Sequence, residues 1–418
     1  LYHPHFRSAI EQAALAGKSP LGSPYASGLR YGMLESFKDR PSMSEAFIIS
    51  AVRTPIGVGK PTGALQPIAP VELASMVMRE AVSRAGINPG RIDDVNWGVV
   101  TSIGDQGGNL GRLAVLKAGF PAKVPAVTLN RMCGSGQQAV HFAAQAIIAG
   151  DADLVLAGGS ESMSHQPLGA DYPAVWPDLP YTLVHQGTSA ELMAEKWSLS
   201  RESLDDYAYT SHQRAMQASQ QGFFDEQILP IQRPDGRIVS LDEGMRIPPD
   251  REKIGRLRPV FKPEGVITAG NASQVSDGAA ALVLASPTAV GRYNLTPRAQ
   301  ILSRVVVGSD PVLMLDGPIP ATQLALKRAG LSLDEMDVIE INEAFASVVL
   351  AWAAELHPDM QRVNPNGGAI AHGHPLGATG AVLMTKLLHE LERTGGRYGL
   401  QTMCIGHGMA TATIIERL

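Results

Sequence analysis

Apolar residues in this chain fall into short, nearly unbroken runs separated by longer mixed stretches. The runs are Ala46 to Val52, 95–101, Val124 to Leu129, Ala152 to Ala157, Gly278 to Ala285, Arg298 to Gly308, Val338 to Ile341, Leu400 to Cys404 and Ala410 to Ile415. Runs this short and this apolar predict strands buried on both faces. Helical spacing lies between them, at about 70–85, 110–118, 139–149, 320–329, 346–356 and 378–391. Alternating strands and helices predict an α/β chain. The C-terminal part repeats the logic of the first, so the pattern predicts two similar α/β halves facing each other. Each half brings a glycine-rich turn to a shared centre.

Two stretches break the alternation. Residues 165–271 are richer in charge, proline and tryptophan, and predict an inserted, mostly helical loop domain. Its helices are expected at Gly187–Trp197 and Arg201–Gln221. Ser200 is the expected N-cap of the second, with Leu204, Ala208, Ser211 and Ala215 on one face. Residues 1–42 carry no strong period beyond a short helical stretch at Phe6–Gly17, and Met43 reads as a plausible start. The expected division is an atypical extension at 1–43, a first half at 44–164 with 272–290, the insertion at 165–271, and a second half at 291–418.

Composition narrows the function. Lys+Arg is 35 against 40 for Asp+Glu, and the net charge of -5 gives no reason to expect nucleic acid. Only two cysteines occur in 418 residues, which points to a reducing, cytoplasmic compartment rather than a disulfide framework. No apolar run reaches the roughly 18 residues that suggest a membrane span. The 43 glycines beside 5% aromatics predict close backbone packing of small-residue helices.

Four segments carry candidate chemistry. Cys133, in Asn130-Arg131-Met132-Cys133-Gly134-Ser135-Gly136, sits where a strand turns into a helix, among glycines that permit a sharp turn. A thiolate there faces the positive end of a helix dipole, which is expected to lower its pKa. His374 lies in Gly373-His374-Pro375, just before a helix. Asn342 and Glu343 stand at a strand-to-helix junction. Cys404 opens Cys404-Ile405-Gly406-His407-Gly408. Each has a purely structural alternative: a buried cysteine, a satisfied histidine, an N-cap, a small core residue. Zinc held by Cys133, Cys404 and His374 fits in ligand type, but no close ligand pair supports it.

Together these segments resemble the thiolase family, from about residue 46 to Leu418. The resemblance rests on Asn-Arg-Met-Cys-Gly-Ser-Gly, Gly-Gly-Ser-Glu-Ser-Met-Ser at 158–164, Gly-Asn-Ala-Ser at 270–273, Asn-Glu-Ala-Phe-Ala at 342–346, Asn-Gly-Gly-Ala-Ile-Ala at 366–371, Gly-His-Pro-Leu-Gly-Ala-Thr-Gly at 373–380 and Cys-Ile-Gly. It implies a five-layer helix–sheet–helix–sheet–helix fold with an inserted loop domain. The implied reaction is acyl transfer between acyl-CoA and acetyl-CoA, by thiolysis of a 3-ketoacyl-CoA or the reverse Claisen condensation. Coenzyme A is then a substrate, and no cofactor is bound permanently. By the same resemblance Cys133 is the nucleophile, His374 its base and Cys404 the second acid–base group. A water on Asn342 joins His374 at the enolate oxygen, and the N–H groups of Cys133 and Gly406 serve the tetrahedral intermediate. His185 and Ser273 are the expected pantetheine contacts. Arg256 and Arg258, within the basic run Arg246, Arg251, Lys253, Arg256, Arg258 and Lys262, are expected at the nucleotide phosphates. A homodimer or homotetramer is implied as well.

The rivals are a ketoacyl-synthase-like condensing enzyme, against which Cys404 argues, and a non-catalytic acyl-CoA or lipid carrier, against which the intact constellation argues. Some positions depart from short-chain members of the family. Gln186 stands where those have Met, while Met314 holds the place of a second pocket methionine. His372 and His407 replace an apolar residue and glycine, placing titratable rings near the catalytic turns. The segment from Ser164 to His185 is short. Substrate range and assembly are what these departures affect.

Overall fold

The computed structural model describes residues 45–175 and 177–418. The expected Phe6–Gly17 helix and Met43 lie outside the described residues. The main strands are β1 (Phe47–Arg53), β2 (Asp94–Gly98), β3 (Val127–Leu129), β4 (Leu154–Ser162) and β5 (Ser276–Ala285) in the first half. In the second half they are β6 (Ala299–Gly308), β7 (Val338–Ile341), β8 (Tyr398–Ile405) and β9 (Met409–Arg417). The first half has the order β3-β2-β4-β5-β1, with β5 antiparallel to both neighbours. The second has β7-β8-β9-β6, with β9 antiparallel to both neighbours and a parallel bridge from Ile339 to Val363 beyond β7. The two halves therefore share one topology. Among the described residues they join edge to edge where Phe47 and Ile48 of β1 meet Gln300 and Ala299 of β6.

The helices repeat as well. In the first half α1 (Pro70–Arg84), α2 (Leu110–Lys117) and α3 (Ser135–Ala149) follow the strands. The insertion adds α4 (Gln186–Lys196) and α5 (Arg201–Gln220). In the second half α6 (Pro318–Ala329), α7 (Ala346–Leu356) and α8 (Leu376–Thr394) correspond to α1, α2 and α3. Helix α8 packs on β4 and β5 of one sheet and on β7 and β8 of the other, with α3 beside it. That makes α3 and α8 the middle of five layers. Strand β5 shows why its sequence reads as one apolar run. Ala279, Ala281, Val283 and Ala285 face the outer core with α1, while Ala280, Leu282 and Leu284 face the central helices.

The central helices touch through glycine. A Cβ on Gly136 would lie 2.8 Å from the Gly377 carbonyl oxygen, and one on Gly380 would lie 2.1 Å from the Gln137 nitrogen. Contact that close excludes any side chain. It brings together the first turns of α3 and α8, and with them the segments just upstream.

The insertion, residues 163–275, joins β4 to β5. The equivalent connection in the second half, between β8 and β9, is the tight turn at 406–408. Helix α5 begins as expected, with Ser200 Oγ accepting from the Ser203 N–H at 3.1 Å. Leu204, Ala208, Ser211 and Ala215 are all buried. The insertion is anchored on the second half by Glu343. Its buried carboxylate accepts from Tyr207 Oη at 2.8 Å, Ser211 Oγ at 2.7 Å, Asn364 Nδ2 at 3.0 Å and the Ile370 N–H at 3.1 Å. On the other side Asp242 is held by a buried pair with Arg53 of β1, at 2.7 Å.

Candidate active site

Cys133 and His374 stand at equivalent places in the two halves, each two residues before a central helix. The Cys133 turn is pinned locally. Asn130 Oδ1 accepts from the Met132 N–H at 2.7 Å, and Ser135 Oγ accepts from the Arg131 N–H at 2.9 Å while donating to the Met132 carbonyl at 2.6 Å. The left-handed residue here is Met132, at φ 47°, and Gly134 has an ordinary φ of -82°. The expectation that glycine supplies the sharp turn is thus corrected. A methionine takes that conformation, at a cost of about 1 kcal/mol that the surrounding bonds offset. Gly134 is small because Ile405 packs against it, and Gly136 because α8 does.

The expected low thiol pKa is also corrected. Burial pushes Cys133 up to about 11, against the opposing effect of the N–H groups of Gly406 and of Cys133 itself, which donate toward the sulfur. Desolvation of a thiolate at this buried position outweighs the two N–H groups, and the Glu161 carboxylate adds to the rise. Burial and then Cys133 raise Cys404 well above the ordinary thiol range, which also puts the two sulfurs near each other. Burial alone lowers His374 to about 4. At neutral pH the resting site therefore holds two thiols and a neutral imidazole.

His374 is tightly placed. Its backbone N–H donates to the Gln274 carbonyl at 3.0 Å, and its ring Nδ1 lies 2.6 Å from Thr379 Oγ1. Asn342 Nδ2 reaches His374 Nε2 at 3.4 Å, while Asn342 Oδ1 is buried without a partner among the described residues. Asn342 is not an N-cap, because helix α7 starts after Phe345 with no side-chain cap. Its orphan oxygen is the kind of group that holds an ordered water.

Sequence reasoning missed the hub between the halves. Glu161, at the end of β4, is buried and accepts from the N–H groups of Val100, Thr101 and Gly377 at 2.9, 3.1 and 2.9 Å, and from Gln106 Nε2 at 2.8 Å. The Gly377 contact places a carboxylate on the first turn of α8, where the helix dipole favours it. A charged residue inside the otherwise uncharged run at 154–162 was the available signal. Tyr172 was missed too. Burial and then Cys133 raise its pKa, which puts this residue of the insertion near that thiol.

The insertion supplies one wall. Residues 271–273 zip onto the Asn342–Ala346 turn: Ala346 N–H donates to the Asn271 carbonyl and Ser273 N–H to the Ala344 carbonyl, both at 2.9 Å. Ser273 thus lies beside Phe345. Phe345 meets Phe261 edge-on at 6.1 Å, and Phe261 stacks on His185 at 5.1 Å. His185 caps α4, its Nδ1 accepting from the Gly187 N–H at 3.0 Å. The next residue, Gln186, reaches the turn after Cys404. Its Nε2 lies 3.2 Å from where a Cβ on Gly406 would be.

The basic run divides. Arg251, Arg256 and Lys262 pair with Asp206, Glu252 and Glu195. Arg246, Lys253 and Arg258 are exposed with no carboxylate partner among the described residues. Arg256 is thus less free for a phosphate than Arg258. His372 does not face a substrate pocket. Its Nε2 bonds the Asn366 carbonyl at 2.9 Å, its Nδ1 lies 2.8 Å from Asp242, and Phe224 packs edge-on at 5.2 Å. His407 takes the left-handed position of its turn, at φ 66°. Among the described residues no group of three His, Cys, Asp or Glu is placed to hold a metal, and no helix is long and apolar enough to cross a membrane.

Two thiols and a neutral imidazole, gathered by a duplicated α/β fold beside backbone N–H donors, are groups that acyl transfer through a thioester can use. Residues 46–288 match the thiolase N-terminal domain and residues 295–417 the thiolase C-terminal domain. The chain is 48% identical to the steroid 3-ketoacyl-CoA thiolase FadA6 of Mycobacterium tuberculosis, over 90% of this chain and 95% of that protein. It is 42% identical to a beta-ketoadipyl-CoA thiolase of Acinetobacter baylyi, over 90% of this chain and all of that one. Human mitochondrial 3-ketoacyl-CoA thiolase in complex with CoA superposes with a TM-score of 0.83 at 39% identity, over 90% and 98% of the two chains. The chain belongs to the thiolase family. It is an acyltransferase of acyl-CoA thioesters, with coenzyme A as substrate, and the condensing-enzyme and carrier alternatives are not favoured.

Proposed function

We propose that Cys133 carries the acyl group, that His374 is its base and that Cys404 is the second acid–base group. The observation that carries this reading is a thiol with two N–H donors at its sulfur, in a site that also holds a neutral imidazole and a second thiol. In thiolysis, Cys133 Sγ bonds to the 3-keto carbon as its proton passes to His374 Nε2. The C2–C3 bond breaks, and the electron pair left on C2 takes the proton of Cys404, releasing acetyl-CoA. A second CoA thiol gives its proton to Cys404 and attacks the acyl-cysteine. The sulfur of Cys133 leaves and recovers its proton from His374. The N–H groups of Cys133 and Gly406 hold the tetrahedral oxyanion, and His374 with a water on Asn342 holds the enolate oxygen.

Coenzyme A runs past His185 and Ser273, with Arg258, and less so Arg256, at its phosphates. Gln186 faces the acyl end and favours acyl groups with polar or branched features over a plain chain. The names of the steroid and beta-ketoadipyl relatives support that reading. The enzyme works as a homodimer or homotetramer in a reducing, cytoplasmic compartment, since both free cysteines must stay thiols.

The test is acetylation by acetyl-CoA followed by intact mass and peptide mapping. The label should sit on Cys133 and vanish in Cys133→Ser. His374→Ala should slow labelling itself, whereas Cys404→Ala should label but turn over about a hundredfold more slowly. A label on another residue sinks the assignment.

A further inference from the structure

We infer that Thr379 is a positioning residue that fixes the proton of His374 on Nδ1 and keeps Nε2 open as the base. The inference rests on the role proposed for His374, and it concerns what makes that ring competent.

Thr379 Oγ1 lies 2.9 Å from the Pro375 carbonyl and 2.6 Å from His374 Nδ1. A carbonyl can only accept, so the single hydroxyl hydrogen goes to Pro375. Oγ1 then accepts from Nδ1, which must carry the imidazole hydrogen. Nε2 is left with a lone pair. Asn342 agrees from the other side, since its Nδ2 is a donor and lies 3.4 Å from Nε2. The bonds run one way, from the Asn342 amide through His374 and Thr379 to the Pro375 carbonyl. All four residues are buried.

The chain also serves the charged state. When Nε2 takes the Cys133 proton, the positive ring still donates from Nδ1 into a hydroxyl already polarised by a carbonyl. Among the described residues no carboxylate acts on His374, and burial is the cause of its low basicity. Thr379 therefore orients the ring without raising its proton affinity much, unlike the carboxylate of a hydrolase triad. The base stays neutral at rest and takes a proton only as the new carbon–sulfur bond forms.

Two measurements test this on the full-length enzyme. The first labels histidine with 15N and reads the His374 signal, assigned by its loss in His374→Ala. The wild type and Thr379→Ser should show hydrogen on Nδ1, and Thr379→Val should move it toward Nε2 or a mixture. The second is the single-turnover rate of acetylation by acetyl-CoA. Thr379→Val, which keeps the β-branched shape, should lose about tenfold to a hundredfold, the range of a compromised general base. Thr379→Ser should stay near the wild type, and CoA affinity should hold in both. Hydrogen on Nε2 in the wild type overturns the inference, and so does Thr379→Val acetylating at the wild-type rate. The wild-type spectrum decides even if Thr379→Val fails to fold. His374→Ala acetylating normally would instead sink the base assignment and leave the tautomer result standing.

Discussion

At the residue scale the site is built from groups held away from solvent. Burial keeps Cys133 protonated to about pH 11 and His374 neutral down to about 4. A thiolate–imidazolium pair would need the reverse order, so the resting state is thiol and imidazole. The direct consequence concerns alkylation. Iodoacetamide reacts with the thiolate, so the rate at Cys133 should keep climbing with pH through 9 and 10. A plateau already reached near pH 7 would show an ion pair and contradict this picture. Gln186 makes the second residue-level prediction. Its amide lies against Gly406, where a methionine would offer only apolar surface. Gln186→Met should lower kcat/KM for polar or branched 3-ketoacyl-CoAs relative to acetoacetyl-CoA, by about threefold to tenfold for one lost hydrogen bond. An enzyme confined to acetoacetyl-CoA and indifferent to this change would remove Gln186 from specificity. The sequence made Cys133, Asn342, His374 and Cys404 legible as a set because each stands in a distinctive turn. It did not make their protonation legible, because a helix end is visible in a sequence and desolvation is not. The same limit hid the turn of His372 onto Asp242, a residue far away in the chain.

At the element scale the catalytic geometry depends on two helices in backbone contact. Helices α3 and α8 carry the segments of Cys133 and His374 and meet at Gly136 and Gly377. Ala is the better helix former by up to about 1 kcal/mol, so Gly136→Ala would stabilise an isolated α3. Here the added methyl lies 2.8 Å from the Gly377 carbonyl oxygen and 3.0 Å from the Ala381 nitrogen. Both are backbone atoms, so the helices must part. The expected result is a loss of about 1–3 kcal/mol in a urea titration, with a slower single-turnover acetylation. A gain in stability with full activity would mean that the crossing is looser than described. Strands and helices of both halves were legible from apolar runs and period. Boundaries shifted by a few residues: α3 begins at Ser135 rather than Ala139, where a polar first turn opens the element, and α8 begins at Leu376 rather than Ala378. The crossing itself was foreshadowed only by the abundance of glycine.

For the whole molecule, the first half leaves an edge open. Strand β3 pairs with β2 on one side, and among the described residues nothing pairs with its other side. Val127 on that strand is 44% exposed, and Phe142, Leu113 and Leu116 on α3 and α2 are exposed as well. Arg131 Nε and Gln138 Oε1, on the turn after β3 and the first turn of α3, are buried without partners among the described residues. An open edge beside apolar side chains and unpaired polar atoms suits a second copy of the chain. Light scattering at micromolar concentration should give at least the mass of two chains, and Val127→Glu should lower it. A monomeric wild type would count against the homo-oligomer.

The asymmetry between the two β-hairpin connections has a further consequence, for modularity. The insertion leaves β4 and returns on β5 at neighbouring points, so lengthening or replacing it re-routes no strand and adds loop-closure cost only slowly with length. Such a segment invites exchange as a cassette between relatives. Yet Tyr207 and Ser211 within it satisfy two of the four bonds to the buried Glu343 carboxylate, next to Asn342. A transplanted cassette lacking those two hydroxyls would bring a new coenzyme wall and leave a half-paired charge under the catalytic turn. The loop is thus a structural dependency of the scaffold that carries it.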